Sequence, residues 1–324
     1  MDDFVSGLIP GLMTNARQIE GVGFIAISDG HISVRKDFGK PDADMPFAAG
    51  TLADLVNAVA VMQQIEQGKM LPTDTVAPGV TVGQALTHQA SADPGALARA
   101  VERASGQDFS AYLTERIFMP LKMMHTTLDA KGLHTTIADM GQLAAVLLSG
   151  GEAGDGRILK AETVQLMERT QLAPHPALPG WTYGFAEERR NGWRGLQRDG
   201  EGPGVQARLV LVPESRFGYF VVVKGRGGAD FWHTLDNSLF DHIFTPHAGT
   251  EASAGGISQP DTAQARAAEG MYGPSRDPMA RVAPLKIAGT HLSVNGYNLQ
   301  ISYNTHDTRL NLAIAVNPRR PGIR

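Results

Sequence analysis

The sequence predicts an α/β sandwich of the α+β kind: one antiparallel sheet with a helical insertion, followed by a small β-rich C-terminal domain. Three observations carry this. Two β-rich runs near the N-terminus flank an Asp-Gly pair. The middle of the chain, about residues 51–180, is dominated by helical spacing. From Trp181 the pattern reverts to strands joined by short turns. Helices set between early and late strands fit a sheet interrupted by a helical insertion.

Phe4, Leu8, Ile9, Leu12 and Met13 recur at helical spacing and predict an N-terminal helix. In "GVGFIAISDGHISVRKDFG", Phe24, Ile25 and Ile27 precede Asp29-Gly30, while Ile32 and Val34 follow it. Asp-Gly between two such runs predicts a tight hairpin. "FAAGTLADLVNAVAVMQQIEQGKM", residues 47–70, is apolar nearly all round from Leu55 to Ile65. That predicts a buried helix, with Gly68 marking its end.

"PGALARAVERASG", "FSAYLTERIF", "MGQLAAVLLSGG" and "KAETVQLMER" continue the helical region. "GWTYGFAEE", "GLQRDG", "VQARLVLVPE" and "FGYFVVVKG" read as strands, and "DFWHTLDNSLFDHIF" as a closing helix. Residues 1–245 thus read as one domain, residues 246–270 as an Ala/Gly/Ser/Thr-rich linker, and 271–324 as the small β-rich domain.

Composition narrows the function classes. The 324 residues carry a net charge of −4 without a long Lys/Arg run, which argues against nucleic acid or an anionic membrane as main partner. The chain has no cysteine, so disulfides, thiolate metal sites and cysteine nucleophiles are excluded. The start "MDDFVSGLIPG" lacks the basic and apolar regions of a leader, and no segment reaches the roughly 18 apolar residues that span a bilayer. A cytoplasmic protein is expected.

Several collinear stretches resemble the serine β-lactamase and penicillin-binding-protein-like family, on the side of class C enzymes and esterases. "GTLADLVNAVAVMQQIEQGKMLPTDTVA" is similar to the family's nucleophile helix and following loop. "TVGQALTHQAS" resembles its "TVRHLLTHTSG" stretch, and "SGQDFSAYLTERIFMPLKMMHTTL" its "SGxxxxxYLxxxIFxPLGMxxT". "TTIADMGQLAAVLLSGG" and "GPGVQARLVLVPESRFGYFVVV" follow in order, so the resemblance spans about residues 18–245. "MYGPSRDPMARVAPLK" is similar to a small β-rich domain that some relatives carry. The resemblance implies a β-lactamase/transpeptidase-like fold, with a site between the sheet and the helical region.

The family's catalytic motifs are altered. Its S-x-x-K places a Ser one helical turn before a Lys, so both face the pocket. Here Thr51-Leu52-Ala53-Asp54 stands in that place. Where Y-x-N is expected, the chain offers Ser91-Ala92-Asp93 in a shortened stretch. The third motif aligns with Arg198-Asp199-Gly200 and keeps its glycine.

Thr51 and Asp54 match a capping box, with Thr51 as cap and the acid reaching back. This reading is favoured over Thr51 as a nucleophile, because a carboxylate with a reference pKa near ~3.9 is a weak base. Asp54 and Arg198 are expected on opposite walls of one cavity. They either form a structural ion pair or, with Asp199 and Glu201 beside them, carry out proton transfer without a covalent intermediate. Asp54, Arg198, Asp199 and Thr51 form the candidate catalytic set, and Glu201 is a candidate substrate-binding residue. Trp181, Tyr183 and Phe185 alternate along a predicted strand and so share a face, for which core packing is the default. Because the resemblance implies that this strand borders the cavity, Trp181 and Tyr183 are second candidates for a substrate wall, and Ser91 is a further substrate-binding candidate. His88 is expected to be buried and hydrogen-bonded behind the site.

"KGRGGAD" (224–230) lacks P-loop spacing and reads as a turn. No His/Asp/Glu group has metal-ligand spacing, so no cofactor or metal is expected. Two readings remain open at this stage. The first is a repurposed enzyme performing cyclisation, dehydration or isomerisation on a small, biosynthetic molecule. The second is a catalytically inactive binding or scaffolding module. A residual hydrolase using Thr51 ranks third. A small-molecule ligand is the expected partner, with a homo-oligomer or protein partner left open.

Overall fold

The computed structural model describes residues 1–16, 18–39, 46–89, 95–130, 132–154, 156–173, 179–227 and 229–244, and strand backbone within 270–300. The chain divides into two compact units, Met1–Thr245 and Pro246–Arg324.

In the first unit, α1 (Asp2–Asn15) leads into the hairpin β1 (Ile19–Ser28) and β2 (His31–Gly39). The turn uses Asp29 at φ 51° and Gly30 at φ 76°, the left-handed pair that a tight hairpin demands. The insertion then runs through β3 (Phe47–Ala48), a 3₁₀ turn at Gly50–Leu52 and α2 (Ala53–Glu66). It continues with β4 (Thr75–Ala77), β5 (Val80–Thr81), α3 (Val82–Leu86), α4 (Ala96–Ser105) and α5 (Phe109–Leu113). β6 (Thr127–Asp129), β7 (Gly132–Thr135), α6 (Ile137–Leu148), β8 (Glu152–Ala153), β9 (Gly156–Arg157) and α7 (Ala161–Glu168) complete it. The chain returns to the sheet as β10 (Ala186–Arg190), β11 (Trp193–Gly202), β12 (Val205–Val212) and β13 (Phe217–Gly225), then closes with α8 (Ala229–Ile243).

The principal sheet has the order β10-β11-β12-β13-β1-β2, and all its neighbours are antiparallel. Strand alternation divides its side chains between two cores. Val22, Phe24, Ala26, Val210, Tyr219 and Val221 join α1 and α8 in one core. Ile25, Ile27, Leu196, Leu209, Leu211 and Phe220 join the insertion in the other. Central strands buried on both faces therefore read as continuous apolar runs, and the sheet is sandwiched between helical layers.

α2 is the insertion's inner helix: Leu55, Ala58, Val59, Ala60, Val61 and Met62 are fully buried. Its polar end is anchored by Gln63, whose amide donates to Ile158 O at 3.0 Å and whose oxygen accepts from Tyr112 Oη at 2.9 Å. No helix among the described residues is long and apolar enough to cross a membrane.

Two local expectations are corrected. Thr51 does not cap α2: the residue before the helix is Leu52, with no side-chain cap bond, and Thr51 lies inside the preceding 3₁₀ turn. Residues 182–185 are a turn and not a strand, because Gly184 at φ 99° breaks the extended run, while Trp181 makes isolated antiparallel bridges to Leu172 and Ala186. Thr182 N bonds to Phe185 O at 2.9 Å, and Tyr183 N bonds to Met167 O at 3.0 Å. Trp181, Tyr183 and Phe185 are consequently all buried instead of sharing one strand face.

In the second unit, β14 (Gly270–Tyr272), β15 (Ala283–Ala288), β16 (His291–Val294) and β17 (Tyr297–Gln300) form a four-stranded antiparallel sheet in sequence order. Of the linker expected at 246–270, residues 246–269 lie outside the described residues.

Candidate functional site

β10 pairs with β11 only as far as Gln197. Beyond that point β11 has an uncovered edge, and the Ala48–Leu52 segment lies along it. The approach is close enough to require glycine on both sides. A Cβ at Gly50 would fall 1.9 Å from Glu201 O, and one at Gly200 would fall 2.5 Å from Leu52 Cγ. Gly50 also has φ 54°, so it serves the turn and the contact together. This contact brings the start of α2 against Arg198.

Arg198 is the hub. Its Nε and Nη2 donate to Thr51 O at 3.0 and 2.7 Å, Nη1 donates to His88 Nε2 at 2.7 Å, and Nη2 also pairs with the Asp54 carboxylate. Guanidinium only donates, so His88 Nε2 is the acceptor and the ring is the neutral tautomer protonated at Nδ1. Burial, reinforced by the Arg198 charge, holds the His88 pKa below its ordinary value. Burial also lowers Arg198, with Asp54 opposing. The two ionic partners differ in exposure: the Arg198 side chain is 7% exposed and that of Asp54 is 43%. The positive charge is thus buried and the carboxylate faces outward.

Thr51 is exposed, and its Oγ1 donates to Asp199 O at 2.9 Å. Its proton is therefore committed to a backbone carbonyl, and no side-chain base accepts it. Trp181 packs edge-on to His88, with ring centroids 5.4 Å apart. Tyr183 lies one layer away, its hydroxyl 3.3 Å from the position a Cβ would take on Gly83, and burial raises its pKa.

The structure brings Asp54, Arg198, Thr51 and Trp181 together with His88. It does not bring Asp199 and Glu201 onto the same wall. Strand alternation points Arg198 and Gly200 at the insertion, and Asp199 and Glu201 at the α8 side. The Asp199 carboxylate accepts from Arg208 Nε at 2.7 Å and Nη2 at 3.0 Å, and from Gln197 Nε2 at 2.8 Å. Glu201 is exposed. Ser91 lies outside the described residues.

A second ionic cluster behind β11 has no counterpart in the sequence-level reading. Arg208 also pairs with Asp236 on α8, Tyr219 Oη donates to Asp236 at 3.0 Å, and Trp232 covers the guanidinium with its ring centre 5.1 Å away. Burial, with Glu188 adding to it, raises Asp236 to about 6. The direct partnership of Asp199 with Arg208 was available in principle from the β11–β12 register, which places the two residues opposite each other. Among the described residues, no group of three or more His, Asp and Glu side chains could hold a metal ion.

The family model for "Beta-lactamase" matches residues 5–242. Among solved structures, the fold is similar to an octameric penicillin-binding protein homologue from Pyrococcus abyssi. That match has 16% identity, covers 92% of this chain and 89% of the other, and has a TM-score of 0.61. It is also similar to SurE, crystallised with D-Leu, at 16% identity, 94% and 89% coverage and a TM-score of 0.64. A sequence comparison with curated proteins gives no match. With a family model matching nearly the whole first unit, over the sandwich just described, the chain belongs to the β-lactamase family.

Proposed function

We propose that this family member has given up Ser–Lys acyl transfer and uses its pocket for non-covalent acid–base chemistry on a small organic molecule. Cyclisation, dehydration and isomerisation are the reaction types in view, with a biosynthetic substrate. The observation that carries the reading is the Asp54–Arg198 pair. It places an accessible carboxylate over a buried guanidinium at the position where acyl transfer would need a basic amine. A nucleophilic Thr51 needs a base within hydrogen-bond reach, whereas its hydroxyl faces a carbonyl oxygen. Proton transfer needs an exposed acid or base held in place, and Asp54 fits that description. Trp181 flanks this set, and the protein is read as cytoplasmic.

A second reading is a ligand-binding module without turnover. It is supported by Arg198, whose donors are committed to Thr51 O, Asp54 and His88 and so are not offered to a reacting group. The octameric neighbour supports testing for a homo-oligomer, and the neighbour crystallised with D-Leu supports starting a ligand search among small amino-acid-like molecules.

Intact mass after exposure to a β-lactam and a fluorophosphonate, with nitrophenyl-ester turnover beside Thr51→Ala, tests the central claim. No adduct and no Thr51-dependent turnover is the expected result. An adduct on Thr51 would sink the proposal. A substrate turned over by the wild type but not by Asp54→Asn would separate the enzyme from the binding module.

A further inference from the structure

We propose that the site takes a cationic, amine-bearing ligand, docked on the oxygen of Asp54 that Arg198 leaves free. This rests on the reading of the pocket as a non-covalent small-molecule site, and it adds the charge of the ligand.

Arg198 Nε is committed to Thr51 O, Nη2 to Thr51 O and Asp54, and Nη1 to His88. The guanidinium is also 7% exposed, so it offers an incoming anion little accessible surface. His88 accepts from that guanidinium and is therefore neutral, which removes the other candidate cation. The Thr51 proton is held by Asp199 O, leaving the hydroxyl oxygen as an acceptor. Asp54 uses Oδ2 toward Arg198, and Oδ1 has no hydrogen-bond partner among the described residues, although the side chain is 43% exposed.

Within this cluster a ligand arriving from solvent therefore meets a carboxylate oxygen and a hydroxyl oxygen before the Arg198 charge. Coulomb attraction falls with distance, so an ammonium in contact with Asp54 gains more from the carboxylate than it loses to the guanidinium behind it. Among the described residues the Nδ1–H of His88 also has no partner; it is a neutral donor and leaves the charge preference unchanged. The polarity is the reverse of a site whose basic amine stands at position 54.

The test is an amide-resolved NMR titration of the full-length protein at pH 7 and fixed ionic strength. It uses three probes of one size: n-butylammonium, butyrate and 1-butanol. The expected result is saturable shifts at Thr51–Leu55 with n-butylammonium, with the other two at least about tenfold weaker, and a loss of about tenfold or more in Asp54→Asn. Butyrate binding as well as n-butylammonium, no saturable binding by any probe, or unchanged n-butylammonium affinity in a folded Asp54→Asn would each overturn the proposal. If Asp54→Asn does not fold, the ranking of the three probes on wild type decides alone. Turnover enters neither arm. Amine capture without any proton-transfer activity keeps this inference and removes the catalytic reading; turnover with butyrate preferred does the reverse.

Discussion

Arg198 donates from one side chain to the start of α2, to the loop after α3 and to an outward-facing carboxylate. Removing Asp54 leaves that guanidinium buried without its counter-ion, a situation that costs about 3–5 kcal/mol when the pair is fully buried and less here, because Asp54 is half in water. Asp54→Ala and Arg198→Ala are each expected to lower unfolding free energy in urea. The double variant should lose less than their sum by roughly 1 kcal/mol or more. Strict additivity would mean the pair contributes nothing as a pair. Thr51→Val removes one hydrogen bond to Asp199 O and should cost about 1 kcal/mol. The Asp54–Arg198 combination was legible at this scale because both altered positions sit in aligned motifs. The link from Arg198 to His88 was not, because it depends on His88 adopting φ 54°, which the sequence does not announce.

The element that sets the site is the Gly50–Leu52 turn seated on the free end of β11. Gly200→Ala puts a methyl 2.5 Å from Leu52 Cγ and 3.0 Å from Ala49 O, neither of which is the loose end of a long side chain. A Tm drop corresponding to roughly 1–3 kcal/mol is expected, as for other overpacked sites. Gly156→Ala, whose new methyl would lie 3.9 Å from Ala153 O, is the control and should be close to neutral. If both variants melted alike, the close approach of turn and strand would not be a determinant of stability. The start of α2 shows why such contacts elude sequence reading. A Thr three residues before an Asp satisfies the capping pattern, yet the Thr51 hydroxyl bonds across to β11, 148 positions away. Because Thr51 lies inside the 3₁₀ turn, its oxygen makes no cap bond to the free N–H groups of α2, and its proton goes to a β11 carbonyl.

At the scale of the whole molecule, the sheet keeps two cores apart, and buried carboxylates give its stability a pH dependence. Glu168 is raised from 4.5 to about 7 by burial, with Arg194 opposing. The folded state binds that proton more tightly than the unfolded chain, so the group's contribution is present below pH 4.5 and is lost as pH rises towards 7. Glu187 is shifted down, by hydrogen bonds from Thr170 and Gly180 and by Arg194 against its burial, so its contribution is lost only on acidification below 4.5. Urea titrations at pH 5 and 7.5 should therefore show a smaller loss in Glu168→Gln than in wild type across that interval. Equal losses in the two proteins would rule out Glu168 as the source. The unit boundary gives another expectation: a chain ending at Thr245 should unfold cooperatively, with the near-ultraviolet circular dichroism of a packed core, because both described cores lie within residues 1–245.

By itself the sequence determined what depends on local chemistry and pattern. It specified the Asp29-Gly30 hairpin, the all-round apolar α2, the strands β11 to β13 and the family motifs whose positions Thr51, Asp54 and Arg198 occupy. These are set by turn geometry, periodicity and order along the chain, all of which are properties of neighbouring residues. Only the tertiary structure decided which side chains meet. Alternation about β11 sent Arg198 to the insertion and Asp199 to Arg208. The uncovered edge of β11 took the Thr51 proton. Each outcome follows from distances between segments far apart in sequence, where packing and hydrogen bonding across the fold outweigh local preference.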